Sequence, residues 1–176
     1  MIIRRETSDE FSKIYDLVKI AFQTAKVLDG DEQDFVNQLR ASDNYIPELA
    51  LVAEKNGELI GHIMLTKTYI ANDDSKFVTL LLAPISVALE FRNQGVGSSL
   101  IKESFKLAKE MGYTSVVLVG DPAYYHRFGL KASVSFGIRN KNDIPDEYVM
   151  ACELVSDALS GISGTIDFYE KSTENV

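Results

Sequence analysis

Residues 77–100 read FVTLLLAPISVALEFRNQGVGSSL, and the fold turns on how that stretch divides. FVTLLLAPISV (77–87) is apolar and rich in β-branched residues, so it reads as a strand. Pro84 interrupts it; proline cannot donate to a strand ladder, so it implies a bulge, an edge or a place where strands part. Further on, Leu100, Ile101, Leu107, Ala108 and Met111 fall on one side of a helix over about 97–111. Gly112 is placed to end that helix. At the handover stand Arg92 and two closely spaced glycines, Gly95 and Gly97. The first N–H groups of a helix have no partner inside it, and its dipole favours negative charge. Glycines let a ligand approach such a backbone closely. With Arg92 adding charge, the turn reads as an anion cradle suited to a pyrophosphate. A plain strand-to-helix loop with convenient glycines would look the same locally.

Working outward, IIRR (2–5) reads as a first strand. Thr7 and Glu10 have capping-box spacing. Phe11, Ile14, Val18 and Phe22 continue a helix over 8–22, and a second helix covers about 31–41. Strands over 48–55 and 58–69 flank Asn56-Gly57, a strong hairpin signal. Asn72-Asp73-Asp74 turns the chain into the strand at 77–87, completing a meander. Beyond the glycine turn and its helix, SVVLVG (115–120) is wholly apolar, as expected of a strand covered on both faces. A short helix at 122–128 and strands near 130–138, 147–155 and 162–169 complete a mixed α/β sheet.

At 176 residues the chain has the length of one domain and can bury a core without disulfide or metal. Its one cysteine, Cys152, excludes an internal disulfide and fits a reducing compartment. The N-terminus shows no signal-peptide pattern, and no stretch approaches the roughly 20 apolar residues of a membrane span. A cytoplasmic protein with no membrane partner is expected. With 18 basic against 26 acidic residues, net charge −8, a broad nucleic-acid-binding face is not expected. Any phosphate must be held locally by backbone N–H groups and one or two side chains. Two histidines 64 positions apart and one cysteine offer no metal-ligand spacing.

Arg92-x-x-Gly95-x-Gly97, preceded by Ile85-Ser86-Val87 on a strand and followed by an amphipathic helix, resembles the acetyl-CoA motif of the GCN5-related N-acetyltransferases (GNAT superfamily). GDPAYYHRFGL (120–130) resembles that family's later motif, with a Tyr four residues before a Gly. Together with EYVMACEL (147–154) it is similar to the YhbS-like branch. The resemblance covers nearly the whole chain in element order. It implies one GNAT domain over 1–176: an α/β fold with a mixed, mostly antiparallel twisted sheet, splayed near Pro84, with helices on both faces. It further implies acetyl-CoA as co-substrate, its pantetheine arm beside Ile85 and Val87. The pyrophosphate would rest on N–H groups of Asn93, Gln94, Gly95, Val96, Gly97 and Ser98, near Arg92.

Such chemistry needs a neutral amine, donors for the tetrahedral oxyanion, and a proton for the departing thiolate. The N–H of Val87 is a candidate oxyanion donor, and Tyr125 matches the family's usual acid. Tyr124, beside it, is expected in the core or lining the acceptor pocket, and is the alternative acid. Some family members carry a Glu base on the strand before the turn; here that strand has no carboxylate before Glu90. A water chain, or an acceptor arriving already neutral, would serve without a dedicated base; His62 and Glu54, on neighbouring strands, are candidates for one, with a satisfied histidine and a solvated glutamate the plainer readings. Asp121 is expected to cap a helix, His126 and Arg127 to face solvent, and Cys152 to pack in the core. The acidity of Asp29, Asp31, Glu32 and Asp34 hints at a cationic acceptor, a small molecule or a peptide amine, and equally fits a solvated surface. The chain is expected to be a monomer or homodimer.

Two other readings compete. Gly95-Val96-Gly97 with Asp121 some 24 residues on mimics a dinucleotide fingerprint. However, Leu100 holds the third glycine position, and the unit begins mid-chain after an antiparallel meander. The other is a non-catalytic CoA-binding or protein-interaction module with the same fold. A P-loop is excluded, since no Gly-Lys-Ser/Thr follows the turn.

Overall fold

The computed structural model describes residues 1–25 and 30–169. Its strands are β1 (Ile2–Arg5), β2 (Ala50–Lys55), β3 (Glu58–Ala71), β4 (Lys76–Val87), β5 (Ser115–Val119), β6 (Lys131–Ala132), β7 (Ile138–Asn140), β8 (Val149–Glu153) and β9 (Gly164–Ile166). The helices are α1 (Phe11–Phe22), α2 (Glu32–Arg40), α3 (Val96–Glu110) and the one-turn α4 (Pro122–Tyr125). Strands run in the order β1-β2-β3-β4-β5-β8-β6, with β9 joining β3 to β7. Pairing is antiparallel except for β4 with β5 and β7 with β9. The expected mixed, mostly antiparallel sheet is what forms.

Local chemistry explains the order. Asn56 (φ 53°) and Gly57 (φ 78°) both take left-handed backbone, which a tight hairpin turn requires and this pair tolerates. At the β3–β4 turn the Asn72 side chain accepts the N–H groups of Asp74 (3.0 Å) and Ser75 (2.8 Å). The Thr7 N–H donates to Glu10 (3.0 Å), the back-reaching half of a capping box. Helix α3 lies between β4 and β5, the crossover a parallel pair demands.

Two apolar faces result. Ile63, Leu65, Leu80, Leu82, Val116 and Leu118 pack with Val96, Leu100, Ile101 and Ala108 of α3. On the other face Ile14, Val18 and Val36 of α1 and α2 cover Ala50, Val52 and Met64. β5 is buried on nearly all its length, as its unbroken apolar run demands.

The C-terminal third departs from expectation. The strand expected at 130–138 is split: β6 has two residues, a 3-10 turn follows over Ser133–Phe136, and β7 begins at Ile138. Gly137 takes a left-handed φ of 78° there, which ends the turn and reverses the chain. The strands expected at 147–155 and 162–169 shrink to β8 and β9, flanked by turns. Apolar runs in this region serve loop packing as well as ladders. Among the described residues, no helix is long and apolar enough to cross a membrane.

Candidate active site

Pro84 sits where the sheet opens. Between Ile63 and Leu65 the β3–β4 register slips, so that Ala83 and Pro84 both face Met64. The Ala83–Pro84 peptide is cis. On the other side, β4 pairs with β5 only at Leu80–Val116 and Leu81–Val117. Beyond Leu81 the two strands separate, and among the described residues the β4 edge through Val87 has no strand partner on that side. A bulge bends its strand and raises local twist, which is how β4 keeps β3 while leaving β5.

The gap is a cleft of about 890 Å³. Residues from both faces of the sheet line it. Val96, Gly97 and Ser98 of α3 border it on one side, Phe22, Phe35 and Gln38 of α1 and α2 on the other, with Phe168 and Tyr169 from the C-terminal segment. The cleft therefore passes through the sheet, so two reactants can meet in it from opposite faces.

At its α3 end the first intrahelical bond runs from Ser99 N–H to the Gly95 carbonyl (3.0 Å). Among the described residues, the N–H groups of Asn93 through Ser98 meet no backbone acceptor. Gly95, with φ 82°, caps the helix in left-handed backbone, and Asn93 (φ 60°) shares that conformation. Such successive N–H groups at a helix start can hold an anion.

Of the residues singled out in the sequence, Ile85, Val87, Arg92, Asn93, Gly95, Val96, Gly97, Ser98 and Tyr125 all line the cleft. The Arg92 side chain is engaged elsewhere: it donates to the Ala21 carbonyl (2.7 Å) and to Thr24 Oγ1 (2.7 Å), at the C-terminal end of α1. Gln94 is not among the lining residues; its side chain donates to the Glu90 carbonyl (3.0 Å).

The two tyrosines divide sharply. A Cβ on Gly97 would lie 2.6 Å from the Tyr124 hydroxyl, so that hydroxyl rests against the start of α3. Burial raises the Tyr124 phenol, while a hydrogen bond with Ser98 and the charge of Arg127 oppose the rise. A Cβ on Gly120 would run into the Tyr125 ring. Burial pushes the Tyr125 phenol well above its usual range, with Tyr124 and Asp121 adding to it. The two rings meet edge-on at 5.0 Å.

Other candidates are also placed. The Asp121 carboxylate accepts from Ala123 N–H (3.0 Å), the expected cap, and also borders the cleft. Glu54 pairs with Arg4 (2.7 Å) and does not reach the cleft. His126 and Arg127 are exposed, and Arg127 packs its guanidinium 4.9 Å from the Tyr124 ring. Cys152 is buried, its thiol pushed up to about 12 by burial. Asp31 and Glu32 line the cleft, Asp34 accepts from the Tyr15 hydroxyl (2.9 Å), and Asp29 lies outside the described residues. Among the described residues, no three His, Cys, Asp or Glu side chains are placed to hold a metal ion.

Sequence reasoning named His62 as a candidate base but missed the group it joins. His62 Nε2 lies 2.8 Å from Glu6 Oε2, and both side chains are buried. Arg40 grips the same carboxylate with Nε on Oε1 (2.8 Å) and Nη2 on Oε2 (3.0 Å), and the Tyr45 hydroxyl donates to Oε1 (2.9 Å). Burial alone would raise the Glu6 carboxyl, but hydrogen bonds from His62 and Arg40 hold it at about 2. The four residues come from four separate segments, and no local spacing links them.

Comparison with known proteins agrees with this architecture. Residues 2–132 match the acetyltransferase (GNAT) domain family. The uncharacterized N-acetyltransferase YhbS of Escherichia coli is 27% identical over 170 residues, 97% of each chain. The crystal structure of that protein in complex with CoA superimposes with a TM-score of 0.85, covering 97% of this chain and 90% of that one, at 26% identity. A GNAT family acetyltransferase from Brucella melitensis in complex with acetyl-CoA gives a TM-score of 0.77 at 26% identity, covering 97% and 96%.

Proposed function

Because this chain belongs to the GNAT acetyltransferase family, we propose that it transfers an acetyl group from acetyl-CoA to an amine, by direct attack on the thioester. The observation that carries this reading is the cleft through the sheet, with unpartnered helix-start N–H groups at one end and a free strand edge along one wall. When bound, acetyl-CoA supplies an activated acyl group on sulfur. The N–H groups of Asn93 to Ser98 would hold its pyrophosphate, which explains how an acidic chain can bind a polyanionic cofactor. The open edge of β4 around Ile85 and Val87 would pair with the amides of the arm. The Val87 N–H would face the developing oxyanion.

Tyr125 is the proposed proton donor to the departing sulfur. Its raised phenol stays protonated throughout the physiological range, so the proton is available when needed. Tyr124, with its hydroxyl against the α3 start, is instead a positioning residue for the cofactor end. The acceptor enters from the α1–α2 side, between Phe35, Phe168 and the carboxylates of Asp31 and Glu32. An amine carried on an apolar body suits that wall. The protein acts in the cytoplasm, as a single domain, on a small-molecule or peptide amine.

Calorimetric titration with acetyl-CoA, CoA and NAD in parallel tests the reading. Binding of acetyl-CoA and CoA without NAD supports it, and binding of NAD alone overturns it. The lack of a carboxylate on the cleft half of β4 favours one other reading, a non-catalytic CoA-binding module. Absence of thiol release across a panel of primary amines, with acetyl-CoA bound, would decide for that alternative.

A further inference from the structure

We propose that the cleft takes a primary amine borne on a flat aromatic body, and that Asn142 is the positioning residue for the aromatic wall that selects it; this rests on the acyl-transfer reading above. Leu81 and Val117 form the last pair before β4 leaves β5. Both belong to an apolar cluster that also holds Phe168, with Phe35, Ala83 and Val119 packed against it. Leu80 and Leu82, either side of Leu81, pack instead with α3. Side chains alternate along a strand, so the Leu81 cluster covers the sheet face away from the cofactor turn. Leu81, Ala83, Val119, Phe35 and Phe168 also line the cleft, so this part of the core surfaces where the strands part. Tyr169 extends the wall, its ring 6.4 Å from that of Phe35 at 58°.

Such a wall has a chemical preference. Phe35, Phe168 and Tyr169 offer π-systems rather than methyl groups. Aromatic rings favour offset or edge-to-face partners, and such pairs gain beyond the apolar area they cover. A polyamine, by contrast, needs negative charge along its length. The carboxylates lining this side are those of Asp31, which is exposed, and Glu32, which accepts the Gly30 N–H (3.2 Å). Both stand at the start of α2, about one turn before Phe35. Their charge therefore lies at one end of the wall.

Sheet hydrogen bonds stop short of the rings. The pairing of β9 with β7 ends at Asn140 and Ile166. Next the Lys141 N–H donates to the Ile166 carbonyl (3.0 Å), and then one side chain takes over. Asn142 Oδ1 accepts the Phe168 N–H (2.9 Å), and Asn142 Nδ2 donates to Asp167 Oδ1 (3.0 Å). The same Asp167 oxygen accepts the Tyr169 N–H (3.0 Å). One amide thus fixes three consecutive residues, two of them ring-bearing. Asn142 is itself braced, since Asn140 Oδ1 accepts its N–H (3.0 Å) and that of Ile144 (3.0 Å). The wall is therefore positioned from β7 through the Asn142 side chain, independently of α3 and the cofactor turn.

Binding and turnover both test this. With CoA-saturated protein, calorimetry compares 2-phenylethylamine, 2-cyclohexylethylamine and spermidine. The aryl amine should bind at least about threefold tighter than its cyclohexyl analogue and about tenfold tighter than spermidine. Phe35→Leu, at a half-buried site, should erase the preference over the cyclohexyl analogue. Equal or reversed preference in the wild type, a preference that survives Phe35→Leu, or binding of none of the three overturns the substrate class. Asn142→Asp keeps an acceptor for the Phe168 N–H but sets two carboxylates against each other. It should raise Kd in the CoA complex, and KM in thiol release from acetyl-CoA, about tenfold for 2-phenylethylamine, with kcat and acetyl-CoA affinity nearly unchanged. Adding Asp167→Asn returns a donor to the pair and should restore both. A merely structural role would lower the melting temperature of the single variant and leave its amine affinity alone. Amine affinity unmoved by Asn142→Asp, or moved and not restored by the exchange, overturns the role of Asn142. Selective aryl-amine binding without thiol release keeps the wall and overturns acyl transfer alone; wild-type protein that does not bind acetyl-CoA overturns acyl transfer and the wall's selectivity with it.

Discussion

At the scale of single residues, the two adjacent tyrosines give the most discriminating test. Their rings touch edge-on but rest against different backbone, Tyr124 against Gly97 and Tyr125 against Gly120. Tyr125→Phe is therefore expected to lower kcat about 10²-fold with acetyl-CoA affinity nearly unchanged, since it removes an interaction made in the transition state. Tyr124→Phe should act mainly on the affinity for acetyl-CoA. Steady-state rates paired with calorimetry on both variants check the division, and the reverse pattern would exchange their roles. Gly95→Asp tests the cradle. No atom crowds a Cβ there, so steric exclusion is not at issue. Its left-handed φ would cost a side chain about 1 kcal/mol or more, and the carboxylate would repel phosphate. Loss of acetyl-CoA affinity by at least about tenfold, roughly 1.4 kcal/mol, is expected in the same titration. The spacing of Arg92, Gly95 and Gly97, and that of Tyr125 and Gly129, was legible because each set lies within a few residues. The different directions of Tyr124 and Tyr125 were legible only in outline, as a helical offset.

At the scale of elements, Arg92 shows how a residue read as a phosphate ligand takes on a second task. Its guanidinium caps the C-terminal end of α1, where free carbonyls gather and the dipole favours a cation. It thereby ties α1, one wall of the cleft, to the turn that forms the other. Arg92→Ala is expected to cost about 1 kcal/mol in denaturant unfolding, from two partly exposed hydrogen bonds, and to loosen acetyl-CoA binding as the walls separate. Unchanged stability would mean that the tie contributes nothing measurable. Helix α3 and strands β1 to β5 were legible because periodicity and turn chemistry agree in each. The short β6, β7 and β9 were not, since apolar residues there pack beneath loops. A strand of two or three residues leaves no period to read.

At the scale of the whole molecule, the Glu6 carboxylate joins the segment after β1 to α2, β3 and the loop before β2. Its folded value, about 2, lies below the ordinary 4.5. A depressed carboxyl contributes stability that is fully present above the ordinary value and lost as pH falls toward the folded one. Melting temperature should therefore fall between about pH 4.5 and pH 2 in wild type, and less steeply in a Glu6→Gln variant that starts from a lower plateau. Parallel pH titrations of thermal unfolding check this, and identical slopes would remove Glu6 as the cause.

The sequence by itself determined the order of β1 to β5, the meander, the crossover helix and the glycine turn, because these depend on contacts within a few residues. It also marked Pro84 as the point of disturbance, since a missing N–H is a property of one residue. Whether that disturbance became a bulge, an edge or a parting of strands was decided by pairing: β4 holds β3 through the bulge and leaves β5 after Leu81. The cleft through the sheet, its far wall of Phe35 and Phe168, and the union of Glu6 with Arg40 and His62 arise between segments far apart in sequence: 133 residues separate Phe35 from Phe168, and 22 to 56 separate the members of the Glu6 group. Only tertiary packing brings such groups together, because burial and strand register, not local spacing, choose their partners.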